Sequence, residues 1–232
     1  MTFERSRVPP DFPVRLIEGY EAFVSGRLPE EQQRFRTLAE AGQSPDIMLI
    51  GCCDSRVAPE VIFDARPGEM FVVRNIANLV PPYTPDGAQR AVSAALEFAV
   101  QALRVKHIVV LGHAQCGGIR AYAEESEPLS PGDFIGAWMK LLAPAAADVG
   151  SRGGLPIGEY LARLEKASVL RTIENLKTFP CVRILHERGT LQLHGAYFGV
   201  ATGALSIYDR TRNEWRPVAA EAHAEVFAHP RF

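Results

Sequence analysis

The chain has 232 residues, 47% of them hydrophobic and 22% charged, which is ample for a sizeable core in one globular domain. A net charge of −2, from 25 basic and 27 acidic side chains, argues against a general affinity for nucleic acid or an anionic membrane. No apolar run reaches the roughly 18 residues needed to span a bilayer, and the opening residues lack a signal peptide's apolar segment, so a cytoplasmic protein is expected.

Residues 14–42 read as two helices. Leu16, Ile17, Tyr20, Phe23 and Val24 form one apolar stripe at helical spacing. Gly26 and Pro29 break the chain, Pro29-Glu30-Glu31 suits a first helical turn, and Phe35, Leu38 and Ala39 carry a second stripe to Gly42. This N-terminal helical arm (1–42) precedes a core of residues 43–232, all within one domain. Such an arm packs on its own domain or on a partner subunit.

Strand and helix then alternate. Residues 47–50, 70–73 and 107–111 are short apolar strands, separated by a short helix at 59–64 and a long one at 86–103. Val92, Ala95, Leu96, Ala99 and Val100 mark the long helix's buried side. Further helices are expected at 133–147 and 157–177, with a glycine-rich surface loop over 143–154. Residues 191–198 and 204–208 close the chain as strands, paired antiparallel around Thr202-Gly203. The fold class is therefore α/β: a mostly parallel central sheet flanked by helices, with a C-terminal antiparallel edge strand.

Two motifs carry chemistry. Gly51-Cys52-Cys53-Asp54-Ser55-Arg56 follows the first strand, and Gly112-His113-Ala114-Gln115-Cys116-Gly117 follows the third. In open α/β sheets sites form at the carboxyl ends of strands, so the two can converge. A lone cysteine or histidine is more often core than ligand, but two thiolates and an imidazole at this spacing suit Zn²⁺. A three-ligand set also leaves a fourth tetrahedral position free, as catalytic zinc requires. Cys116 precedes a helix, whose dipole favours its thiolate. Asp54 and Arg56, two apart in a tight turn, can form a bidentate pair, either as a rigidifying ion pair or to hold Asp54 ionised beside the metal. Four cysteines in a chain this long make no disulfide framework, which again points to a reducing compartment. Cys53 reads as a small buried bystander. Cys181, His186, His194, His223 and His229 have no metal partner in the pattern.

Over residues 13–208 the chain resembles the β-class carbonic anhydrases, and its plant-like branch in particular. The resemblance rests on Cys52-Cys53-Asp54-Ser55-Arg56, on His113-Ala114-Gln115-Cys116-Gly117-Gly118, and on Gly68-Glu69-Met70-Phe71-Val72-Val73-Arg74-Asn75-Ile76-Ala77-Asn78 between them. It implies one Zn²⁺ per subunit on Cys52, His113 and Cys116, a catalytic Asp54–Arg56 dyad, and reversible hydration of CO₂ by zinc-bound hydroxide. It also implies that Gln43 donates a hydrogen bond to substrate and that Phe71, Ile76 and Phe98 line an apolar substrate pocket. That pocket is expected at the subunit interface of a homodimer or larger homo-oligomer. Some members carry a bicarbonate-sensing tryptophan three residues before the first zinc cysteine. Here that residue is Leu49, and Arg74 alone reads as structural, so an open site without bicarbonate-gated closure is expected. Hydrolysis of CS₂ or COS on the same fold, and a non-catalytic zinc scaffold or sensor, are the competing readings. Two thiolates cancel the metal's charge, so activity is expected to rise through the neutral-to-alkaline range.

Overall fold

The computed structural model describes residues 11–124 and 134–218. The chain divides into two compact units, Met1–Gln43 and Ser44–Phe232. In the first, helices α1 (Val14–Ser25) and α2 (Arg27–Ala41) meet at Gly26. Pro29 falls third in α2 rather than opening it. It is tolerated there because the first four N–H groups of a helix have no intrahelical acceptor. Phe23 packs edge-on against Phe35 at 6.1 Å between ring centres, yet neither helix contains a buried residue.

The second unit is built on a six-stranded sheet of order β2-β1-β3-β4-β5-β6. Its strands are β1 (Ile47–Cys52), β2 (Met70–Asn75), β3 (His107–His113), β4 (Gln192–Phe198), β5 (Leu205–Asp209) and β6 (Glu214–Pro217). The first four run parallel, while β5 and β6 run antiparallel to their neighbours. The expected antiparallel edge at the C-terminal end is present, with β6 outermost beyond the anticipated β5.

Alternation decides the core. Met48, Ile50, Ile108 and Val110 face one side with Leu96, Val169, Ile173 and Phe179, whereas Leu49, Leu111 and Ala196 face the other. Each such burial contributes about 1.5–3 kcal/mol for a Val, Leu, Ile or Phe. The covering helices are α3 (Pro59–Ile62), α4 (Ala91–Glu97), α5 (Gly117–Ala123), α6 (Ile135–Met139), α7 (Ala143–Val149), α8 (Ile157–Leu176) and α9 (Pro180–Glu187).

Several boundaries differ from the sequence expectation. The long helix begins at Ala91, not Asp86, because the Asp86 carboxylate accepts the Ala88 N–H and Gly87 sits at φ 78°. It ends in a π-turn over Phe98–Ala102. The expected 133–147 helix is three pieces, α6, a 3₁₀ turn Lys140–Leu142 and α7, and Asp133 lies outside the described residues. The expected loop from 143 is instead helical up to Val149, where Gly150 at φ 80° stops it. Helix α9, opened by Pro180, and strand β6 were not anticipated.

α8 lies close on the sheet because two positions beneath it have no side chain. A Cβ at Gly112 would sit 2.5 Å from Val169 Cγ2, and one at Gly195 3.2 Å from Val169 Cγ1. This close approach brings the middle of α8 up to the carboxyl end of β3.

Candidate metal centre

Parallel register sets Gly51 beside Leu111, so the segments after β1 and β3 leave the sheet at the same end. There the donor atoms of Cys52, His113 and Cys116 lie within 4.8 Å of one another, and all three residues are buried. The two sulfurs are 4.0 Å apart. That is far from the ~2.0 Å of a disulfide. It is close to the ~3.8 Å expected of two thiolates each ~2.3 Å from one tetrahedral ion. His113 Nδ1 is 2.9 Å from the Ala114 carbonyl, which can only accept, so Nδ1 carries the hydrogen. The lone pair then belongs to Nε2, which is buried without a hydrogen-bond partner. An unsatisfied buried nitrogen beside two sulfurs fits a borderline-soft metal ion.

Ionisation of the thiols is shared. A hydrogen bond from Cys116 holds Cys52 well below the ordinary thiol range, against the opposing effect of burial. The same contact, together with burial, pushes Cys116 up, and the N–H groups of Gly118 and Ile119 offset this only in part. For His113, burial favours the neutral ring, but Cys52 and the Ala114 carbonyl outweigh it and the net shift is upward.

Asp54 and Arg56 form the anticipated pair. Arg56 Nε donates to Asp54 Oδ1 at 2.9 Å and Nη2 to Oδ2 at 2.6 Å, and the Arg56 backbone N–H also donates to Oδ1. The guanidinium holds the Asp54 carboxyl well below the usual carboxylate range. Arg56 Nη2 also donates to the Gln115 carbonyl at 3.0 Å, tying the first motif to the second. Arg74 spends its donors on the Cys52 and Asp54 carbonyls at 2.8 and 2.7 Å, which makes it structural.

Two residues here were not picked out from sequence. Glu165 on α8 is 2% exposed and accepts from the Cys116 N–H at 3.0 Å and from the Tyr197 hydroxyl at 2.6 Å. Burial pushes its carboxyl above the ordinary glutamate range, despite both hydrogen bonds. The available signal was a lone acid within a buried helical stripe of Leu161, Leu164, Ser168 and Val169.

The other expected residues are dispersed. Ile76 is beside the second motif, where a Cβ on Gly118 would meet its Cγ2 at 2.9 Å, and it is 40% exposed. Phe71 pairs in register with Met48, four residues behind the Cys52 level, or about 13 Å along the strand. Its ring packs on Phe98 at 5.9 Å, and Phe98 is 49% exposed. Gln43 ends the N-terminal unit and is exposed. Cys53, one residue past the end of β1, is exposed rather than buried. His223 and His229 lie outside the described residues.

Residues 47–205 match the carbonic anhydrase family model. A carbonic anhydrase of Pseudomonas aeruginosa is 34% identical over 92% of this chain and 94% of its own length. The chain belongs to the β-class carbonic anhydrases. Among solved β-class structures, CcaA superposes with a TM-score of 0.81 at 30% identity, covering 89% of this chain and 92% of that one. One of two tetrameric β-carbonic anhydrases from Sordaria macrospora gives 0.71 at 31% identity, over 83% and 94%. The matched β-class span contains Cys52, Asp54, Arg56, His113, Cys116, Glu165 and Tyr197, and leaves out Gln43 and the helical arm.

Proposed function

We propose that Cys52, His113 and Cys116 hold one zinc ion and that the chain catalyses the reversible reaction CO₂ + H₂O ⇌ HCO₃⁻ + H⁺. The observation that carries this reading is the buried, unpartnered His113 Nε2 among two sulfurs, beside a carboxylate fixed by Arg56. When bound, zinc supplies the Lewis acidity that makes water nucleophilic near neutral pH.

The chain's own groups do the rest. Arg56 occupies both Asp54 oxygens and keeps the carboxyl ionised, so Asp54 serves as an acceptor that orients the attacking water. The same grip keeps Asp54 from turning onto the metal, which favours an open site. Leu49 fits this, because among the described residues it lines a largely apolar cavity of about 280 Å³ with Val109, Ala196, Leu205 and the acidic Glu69, a poor place for an anion. The resemblance to the family alone makes Gln43 the proposed donor to the developing bicarbonate oxygen.

CO₂ is apolar, so its pocket needs apolar walls. Ile76 is at hand within the chain, whereas Phe71 and Phe98 stand too far along the sheet to line the same chain's site. We therefore assign the working enzyme as a homodimer or larger homo-oligomer, with a second copy completing the pocket and covering the exposed apolar edge and helical arm. Among the described residues no helix is long and apolar enough to cross a membrane. All four cysteines are free, which suits a reducing compartment such as the cytoplasm.

The test is stopped-flow CO₂ hydration with metal analysis, run with CS₂ and COS alongside and Cys52→Ala as control. Hydration of CO₂ that vanishes with the zinc is expected. Turnover of CS₂ or COS alone, or zinc without any turnover, would overturn the assignment.

A further inference from the structure

One peptide plane, between Gln115 and Cys116, is held from both sides. Its carbonyl accepts from Arg56 Nη2 at 3.0 Å and its N–H donates to Glu165 Oε1 at 3.0 Å. Gln115 adopts φ 58°, a left-handed conformation that a non-glycine residue takes only when its surroundings enforce it. The second Glu165 oxygen is pinned by the Tyr197 hydroxyl, so the carboxylate cannot swing away. A carboxylate on the buried face of a helix is unfavourable for folding unless it is fully hydrogen-bonded, and an apolar residue would fill that position at lower cost.

We infer that Glu165, locked by Tyr197, is a positioning residue that fixes the Gln115–Cys116 peptide plane and thereby holds Cys116 in its metal-ligating conformation. This rests on the zinc assignment above. Arg56 is the solvent-side jaw of the clamp and Glu165 the buried one. The glycines beneath α8 let the acid reach, because with side chains at Gly112 and Gly195 the helix would be lifted and its carboxylate would fall short of the Cys116 amide. Loss of the buried jaw frees the peptide to rotate, which carries the Cys116 sulfur out of place and hastens the metal's departure.

The experiment compares zinc release from the purified full-length protein to a chromogenic chelator for wild type, Glu165→Gln, Glu165→Met and Tyr197→Phe. Denaturant stability of each metal-free form is measured in parallel. Val182→Ala, a fully buried change in the other core cluster, serves as a destabilised control that does not touch Cys116. Glutamine keeps an acceptor for the Cys116 N–H, so its release rate is expected within about threefold of wild type. Methionine matches the volume without an acceptor and is expected to release zinc at least about tenfold faster, with Tyr197→Phe between the two. Should the methionine variant not fold, Tyr197→Phe decides. Release that merely follows stability, with Val182→Ala on the same line, overturns the inference, as does Glu165→Gln releasing as fast as Glu165→Met. Wild type that takes up no zinc sinks the underlying assignment as well, an outcome distinct from any pattern among the variants.

Discussion

Around Cys52 and Cys116 nearly every polar group is gripped. Arg74 holds two carbonyls of the first motif, Arg56 holds Asp54 and a carbonyl of the second, and Glu165 holds the amide of Cys116. Around Ile76 and Phe98 the molecule is built otherwise, with large apolar side chains 40% and 49% exposed at the edge of the sheet. The polar side is self-contained and the apolar side is unfinished. Hydrogen bonds within the chain already fix the charged groups of the first region. An apolar wall for CO₂ needs only shape, and a second subunit can supply that.

Cys52→Ala or His113→Ala should abolish zinc binding by elemental analysis and lower CO₂ hydration by about a thousandfold or more. Retention of zinc by either variant would mean the metal side is not what these residues build. Arg56→Lys keeps the charge but loses the two-pronged grip on Asp54, and hydration should fall roughly 10–100-fold with zinc still bound. If zinc is lost in proportion, Arg56 acts through the Gln115 carbonyl rather than through Asp54.

Phe98→Asp addresses the other side. Its expected outcome is a smaller species by sedimentation and about tenfold lower hydration, with zinc content unchanged. An unchanged sedimentation coefficient would show that the exposed edge is not an interface. The smallest effect lies far from both sides. Burial holds His194 below the ordinary value of 6.5, reinforced by the charges of His107, Arg210 and His186. The depressed value means its contribution to stability is complete above pH 6.5 and is lost as pH falls through the folded value. His194→Gln should therefore shrink the drop in melting temperature between neutral and mildly acidic pH, with hydration unaffected.

Much of the metal side could be read from the sequence because its residue types are rare and its spacing short. Cys52, Asp54 and Arg56 lie at the end of one strand, His113 and Cys116 at the end of another, and parallel strands bring such ends together. The strands themselves stood out as apolar runs of β-branched residues. What stayed hidden depends on long-range packing. Glu165 shares no motif with Cys116, 49 residues away, and its role appears only once α8 settles onto Gly112. The late start of α4 turned on a left-handed Gly87 and a local carboxylate contact that outcompeted helical periodicity. Residues 143–147 were claimed both by an expected helix and by an expected loop, because glycines follow closely, but Ala143–Val149 are mostly strong helix formers and stay helical. Cys53 was expected to be buried from strand alternation, but β1 ends at Cys52, and alternation does not say whether anything covers a given side.

Gly112 stands next to His113, a proposed metal ligand, and carries no functional group at all. In a survey of random variants scored by activity, substitutions there should nonetheless register as severely as changes to the ligands, since any side chain collides with Val169 and lifts α8 from the sheet. Reverting activity from such a variant would then require not a chemical group near the metal but a smaller residue on the facing helix, with Val169→Ala or Val169→Gly as the first suppressors to look for. Intolerance at this position measures empty space.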